Sequence, residues 1–355
     1  MSIETQEPVP LPLGITDQDG RTGYFAAGLE TIEAVNLADG SLLWQTDALL
    51  RPLIAFEQRL AAQAASVPRK ANTLRIVLLN VKRNGKQILA SDPALLPDWV
   101  DCLASEPEIF QYRVRLEGRE MVLAWEAHRR YSGGAPPPRQ VVEQAARDAS
   151  GEVRVDLETG RIKAEAVPLW ISGATLREAN SDPPSPDVIW HTEPWRIGDR
   201  LAALMMKEEG LGQSLYLATW SPDSTATGAK LVELARGTGM APSLSPDGKY
   251  VLVEPDEPEP GPRGPQRPWW IFETTTGRRI ATVPHEEGAR EPCIVVPRLY
   301  YVVREPARSS PGKAVGTVLR VRDLGSGELL WERRLGLPGT DKAPDLPRKA
   351  GSSEP

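Results

Sequence analysis

A short phrase recurs along this 355-residue chain: an extended apolar run, a polar residue, a tight glycine turn and a second apolar run. Its two clearest copies stand near opposite ends, Asn36-Leu37-Ala38-Asp39-Gly40-Ser41-Leu42-Leu43-Trp44 and Asp323-Leu324-Gly325-Ser326-Gly327-Glu328-Leu329-Leu330-Trp331. Each copy reads as a hairpin that cannot bury its own faces, so the copies must stack on one another. Such a repeat constrains architecture far more than activity.

With the turn glycine as anchor, further copies fall at Gly85, Gly160, Gly228 and Gly277. Four residues before the glycine stand Asn36, Asp156, Glu273 and Asp323 in four of the six copies, acceptors able to bond backbone N–H groups at the start of a turn. The glycine supplies the positive φ that a short hairpin loop needs. Three residues after it come Leu43, Ile88, Lys163, Leu231, Ile280 and Leu330, and one further on Trp44, Leu89, Ala164, Val232, Ala281 and Trp331. Adjacent strand residues point to opposite faces, so two neighbouring apolar columns predict sheets that are dry on both sides, as stacked blades are.

The anchors are 45, 75, 68, 49 and 50 residues apart. The short intervals suit a four-stranded propeller blade of roughly 40–50 residues and the long ones require insertions. Insertions are expected at about 132–150, 181–186, 255–268 and 306–315, where Pro, Gly and Ser gather. The first continues into Arg139 to Ala149, where Val142, Ala145, Ala146 and Ala149 recur at helical spacing and predict a short surface helix. Strand signals appear at Thr22 to Ala27, Pro52 to Phe56, Leu74 to Leu79, Tyr112 to Leu116, Met121 to Trp125, Leu201 to Met206, Ser214 to Thr219, Tyr250 to Glu254 and Cys293 to Val303, the last broken at Pro297-Arg298. Ala94 to Leu103 reads as a second short helix.

The expected fold is therefore all-β: a single β-propeller of four-stranded blades over residues 21–336, six blades favoured and seven possible. A degenerate seventh would lie in Phe110 to Trp125 or Val188 to Met206, and either terminus could supply the closing strand. Residues 1–20 form a partly flexible segment in which a strand near Val9 to Gly14 docks onto the sheet, and 337–355 form a flexible tail.

Composition narrows the class. Net charge is −6, with Lys and Arg scattered among acids and no basic stripe, so nucleic acid is not an expected partner. No run approaches the roughly 18 apolar residues of a membrane span. The start, Met1 to Glu7, has no basic region followed by an apolar run, and Cys102 and Cys293 are isolated, which together predict a cytoplasmic protein with reduced thiols.

Chemistry-bearing motifs are sparse. Nucleophile-elbow, phosphate-loop, dinucleotide and zinc-helix patterns are missing, and His128, His191 and His285 have no second ligand at metal spacing. Asp17-Gln18-Asp19-Gly20 opens like a calcium loop, but Gly28 stands where the bidentate acid belongs, leaving a plain turn. Asp256-Glu257 and Glu286-Glu287 read as solvated acids in polar loops. Ten tryptophans against four phenylalanines is a biased choice. Trp44 and Trp331 read as blade-to-blade packing, whereas Trp190, Trp195, Trp269 and Trp270 could pack or form a platform for a flat ligand. No catalytic, cofactor-binding or metal-ligating residue is assigned.

The phrases Ala34 to Trp44 and Val321 to Trp331 resemble the repeat of pyrroloquinoline-quinone-like β-propellers. Leu244-Ser245-Pro246-Asp247-Gly248-Lys249-Tyr250-Val251-Leu252-Val253 resembles the blade opening of WD40-like and TolB-like propellers, with a fainter echo at Trp220-Ser221-Pro222-Asp223-Ser224. The resemblance implies blade geometry. Quinoprotein dehydrogenases of that family hold quinone and calcium in a central funnel, but this chain lacks the adjacent cysteine pair that closes over the quinone. Relatives without quinone act as scaffolds. The leading expectation is thus a monomeric, non-catalytic scaffold, without cofactor, that binds a protein partner through rim loops. The alternatives are a small-ligand or cofactor-binding propeller, such as a degenerate quinoprotein, and a propeller hydrolase or lyase with a funnel site.

Overall fold

The computed structural model describes residues 8–28, 30–65, 70–104, 109–127, 149–166, 188–192, 194–209, 212–224, 226–237, 242–254, 259–261, 264–304 and 316–336. Among them regular structure is almost wholly antiparallel strand, in six main sheets that follow one another along the chain. The first holds Pro10–Leu11, Gly14–Thr16, Thr22–Ala27, Thr31–Asn36 and Leu42–Asp47, and the second Leu49–Phe56, Arg59–Ala64, Ile76–Asn80 and Lys86–Ala90. The third holds Phe110–Glu117, Glu120–Ala127, Ala149–Asp156 and Ile162–Ala166. In the fourth, Val188–Trp190 and Trp195–Ile197 both pair with Arg200–Glu209, followed by Gly212–Trp220 and Lys230–Gly237. The fifth holds Ser243–Leu244, Tyr250–Val253, Pro268–Glu273 and Arg279–Pro284, and the sixth Ala289–Val295, Arg298–Arg304, Thr317–Asp323 and Leu329–Leu335. Two small ladders, Thr73–Leu74 with Ala94–Leu95 and Glu259–Gly261 with Gly264–Gln266, lie outside them.

The sequence-predicted strands lie mainly in these sheets, although Leu74 belongs to a small ladder; near the start the strand that docks on Thr22–Ala27 is Gly14–Thr16, just after the expected Val9 to Gly14, with Pro10–Leu11 paired to it in turn. The stretches suggested for a seventh blade are the opening strands of the third and fourth sheets. The helix expected over Ala94 to Leu103 does not form. Pro97 interrupts the stretch, and its backbone is bound elsewhere, Leu96 N–H donating to Asn72 O at 2.9 Å and Cys102 N–H to Ala71 O at 2.8 Å. Most of the insertion helix expected at 139–149 lies outside the described residues, but Ala149 begins a strand opposite Ala127. The insertions at 181–186 and 306–315 and the tail after 336 also lie outside them.

Buried side chains tie the sheets together in chain order. One cluster joins the first and second sheets (Tyr24, Ile32, Trp44, Leu60, Leu79), another the second and third (Leu74, Leu78, Met121, Leu123, Trp125, Val153). Others join the fourth to the fifth and the fifth to the sixth. A further cluster brings Phe25, Val35 and Leu37 of the first sheet against Tyr300, Leu319, Val321 and Trp331 of the sixth. Each sheet is drawn from one continuous stretch, so among the described residues first and last meet by side-chain packing and share no strand.

The repeat explains how neighbouring sheets lock. A Cβ on Gly85 would come 2.5 Å from the Trp44 ring of the preceding copy, and one on Gly277 2.6 Å from Val232. Leu89 covers Gly160 in the same way at 3.3 Å, and Trp331 covers Gly40 at 2.7 Å, so the last copy seats on the first. The glycine is therefore needed twice, for φ near +70° to +77° and for this close approach. Ala281 is too short to repeat the contact, and the nearest atom to Gly327 is instead Pro284 Cδ, at 3.7 Å.

Two expectations fail for identifiable reasons. Leu43, Ile88, Ile280 and Leu330 are exposed, Ile88 by 51%. Each has no partner in the ladder, because the register skips it between Leu42 and Trp44, Gln87 and Leu89, Arg279 and Ala281, and Leu329 and Trp331. A β-bulge turns these residues out of the sheet, so only the second apolar column seals a face. The copy anchored at Gly228 is not a tight hairpin: a 3₁₀ turn over Ala226–Gly228 replaces it, and no atom lies within 4 Å of a Cβ built there.

Candidate functional site

Four turns of the repeat are each closed by a polar residue of their own. Asn36, Asp156, Glu273 and Asp323 accept at their carbonyls from Gly40, Gly160, Gly277 and Gly327 N–H at 2.8–2.9 Å and donate to Ser41, Arg161, Arg278 and Glu328 carbonyls. Asp156 and Asp323 also accept backbone N–H groups on Oδ1, which holds their carboxyls below the usual range. The residue after the acceptor reaches sideways. Leu37, Val81, Leu157, Thr274 and Leu324 donate to the carbonyls of Arg21, Gln58, Arg119, Lys249 and Pro297, stitching the last turn of each of five sheets to an earlier turn of the same sheet. Both turns of a sheet are thereby fixed at one rim.

On that rim, between the turns of the second and third sheets, lies a groove of about 530 Å³ lined by Arg59, Arg83, Lys86, Ile88, Leu157 and Glu158 among others. Its basic side is built on rigid parts. Asn80 Oδ1 accepts from Arg83 N–H at 3.1 Å, Asn84 adopts φ +53°, and Gly85 sits under Trp44. The Val81–Gln58 bond holds the strand start at Arg59 beside this turn. Among the described residues none of Arg59, Arg83 and Lys86 meets a carboxylate, and the one acid in the lining, Glu158, pairs with Arg119 at 2.9 Å. This corrects the reading of scattered charge. Lys82-Arg83-Asn84-Gly85-Lys86 had stood in the sequence as a turn, and the fold adds Arg59 from 24 residues upstream.

A second cluster of titratable groups joins the fifth and sixth sheets. Glu286 binds the guanidiniums of Arg320 and Arg322 and accepts from Tyr301 Oη at 3.0 Å, while Arg322 Nε donates to the same hydroxyl at 2.8 Å. Burial opposes the Glu286 charge, but Arg322, Arg320 and Tyr301 outweigh it and hold the carboxyl below its usual range. Glu286 is thus not the solvated loop acid expected from the sequence. Every oxygen of the cluster is engaged, so it serves as an internal brace.

The other singled-out residues do not converge. His285 stacks edge-on against Trp269, which also meets Tyr301, and lies 3.7 Å from Glu254. His191 belongs to the segment beside Leu204, and His128 lies outside the described residues, as do Asp256 and Glu257. Asp17 accepts Arg21 N–H in an ordinary turn. Trp190 packs on Trp220 at 5.7 Å, Trp195 Nε1 donates to Gly248 O, and Arg279 lies over Trp270 at 5.1 Å, so the tryptophans are dispersed and form no shared platform. Cys102 and Cys293 are free thiols, each pushed up to about 12 by burial. Among the described residues no group of three or more His, Cys, Asp or Glu stands at metal-holding distance, and no helix is long and apolar enough to cross a membrane.

No family model matches the chain, and no curated protein matches it. Solved structures of β-propeller proteins do resemble it. BamB from Moraxella catarrhalis aligns over 94% of this chain and 89% of its own at 12% identity and TM-score 0.33. The β-propeller domain of the trilobed protease from Pyrococcus furiosus aligns over 93% and 83% at 11% identity and TM-score 0.29, and a eukaryotic initiation factor over 94% and 89% at 10% identity and TM-score 0.37. At such values the likenesses carry no argument about function. What can be argued rests on the six sheets and their rim.

Proposed function

We propose that the chain is a single closed β-propeller of six blades, a monomeric non-catalytic scaffold that binds a protein partner on the rim where the repeat turns emerge. The resemblance of the repeat to pyrroloquinoline-quinone-like propellers and the seating of Trp331 on Gly40 support one closed ring. The observation that carries the docking role is the groove between the second and third sheets. It sets three cations, without side-chain partners among the described residues, beside exposed Ile88, on turns fixed by backbone bonds to their neighbours. Rigid scaffolds commonly place recognition on such loops. The test is capture of tagged full-length protein beside an Arg83→Glu/Lys86→Glu variant, with bound proteins quantified by mass spectrometry. A partner retained by the parent and depleted from the variant is the expected result. Identical partner sets would remove this rim as the docking surface, and a small molecule co-purifying in native mass spectrometry would favour the ligand-binding alternative.

A further inference from the structure

We infer that the groove between the second and third sheets takes an acidic peptide segment of the partner, one that sets carboxylates against Arg59, Arg83 and Lys86 and an aliphatic side chain against Ile88 and Leu157; this rests on the scaffold reading above. Charge complementarity is the first reason. In a chain of net charge −6, four cations fall within Lys82 to Lys86 and Arg59, and the one acid among the described lining residues, Glu158, is paired with Arg119. A local field opposite in sign to that of the whole chain selects a partner surface of the other sign and orients it on approach. The apolar component is the second reason. Ile88 is the bulged residue of its strand, turned out and 51% exposed at the groove wall, while Leu157 forms part of the lining. The third concerns what the groove lacks. No aromatic side chain stands among the described residues that line it, so none of these stacks a base, and their chemistry fits peptide better than single-stranded nucleic acid.

Fluorescence anisotropy of the purified full-length protein tests this with a fluorescein-labelled peptide of alternating Glu, Asp and Leu. Comparators are the same peptide with Gln and Asn for its acids and an oligonucleotide of equal charge. The expected result is saturable binding of the acidic peptide that weakens at least about tenfold in Arg83→Glu/Lys86→Glu. It should also be lost in roughly 1 M salt, where the Debye length is about 3 Å. A control, Arg113→Glu, reverses one cation, half the charge change of the double variant, on an exposed strand residue of the third sheet outside the groove lining, and should leave binding within about twofold of the parent. Equal weakening by the control, tighter binding of the oligonucleotide, or no binding by parent protein with an intact circular-dichroism spectrum would each overturn the inference. If peptide binding fails while the variant still loses a captured partner, only the acidic-peptide assignment falls. If partner capture is also indifferent to the variant, the docking role of this rim falls with it.

Discussion

The junction between the sixth and first sheets and the faces presented by the third and fourth sheets are built on opposite principles. At the former, Trp331 lies on Gly40 and donates to Leu37 O at 3.2 Å, within a shared apolar cluster. Glu33, fully buried, is satisfied by Arg333 Nε at 2.7 Å and by Gly336 N–H at 2.9 Å. The third sheet, on its face turned away from the second, instead carries Arg115, Arg154, Glu117, Glu120 and Glu152 in an exposed ion-pair network. The fourth, on its face turned away from the fifth, carries Val188, Met205, Ala203 and Trp220 in a cluster of its own, and no buried cluster among the described residues joins these two sheets. The contrast follows the repeat. Copies one and six have tryptophan in the sealing column, whereas copy three has Ala164 and copy four has lost the tight turn. Where the sealing residue and the turn glycine both survive, a dry junction forms.

Breaking the tight junction should have the largest effect. Trp331→Ala removes the ring that covers Gly40 and should cost about 3–5 kcal/mol, read as a fall in the urea midpoint. Arg333→Ala leaves Glu33 buried with one backbone donor and should cost about 3 kcal/mol, measured the same way. Gly85→Ala sharpens the comparison by adding only one methyl where φ is +72° and the Trp44 ring is already in the way. About 1–3 kcal/mol is expected, and a neutral result would refute the dual role given to the turn glycine. A fourth test is by pH. The Glu286 carboxyl is held below its ordinary value of 4.5, so its contribution is full above that pH and is lost as pH falls through the lowered value. The stability gap between parent and Glu286→Gln should accordingly shrink on acidification below 4.5 and stay constant from there to neutrality. Smallest of all, Arg115→Ala in the exposed network should leave the melting temperature within error of the parent.

Much of the fold was legible because turn chemistry and strand alternation are local. Asn36 and Asp323 mark turns whose hydrogen bonds lie within six residues, and the run Tyr250 to Val253 announces a strand by its side chains alone. The exposed column was misread because a bulge is a property of the pair: nothing in Leu42-Leu43-Trp44 says that Leu43 has no partner across the ladder. Ala94 to Leu103 was misread for a related reason, its backbone partners being Ala71 and Asn72. The groove was half visible. Lys82 to Lys86 could have been flagged as a basic turn, but Arg59, Glu158 and the pairing of Glu158 with Arg119 come together only through the second and third sheets.

Hydrogen exchange on Trp331→Ala tests most directly the claim that the first and last repeats hold each other. Residue 331 belongs to the last strand of the sixth sheet, and its contacts at Gly40 and Leu37 belong to the first. The expected result is lost amide protection both in peptides covering Thr317–Asp323 and in those covering Thr22–Ala27 and Thr31–Asn36, with the second and third sheets much less affected. Loss confined to the sixth sheet, with Thr22–Asn36 as protected as in the parent, would contradict the closed ring.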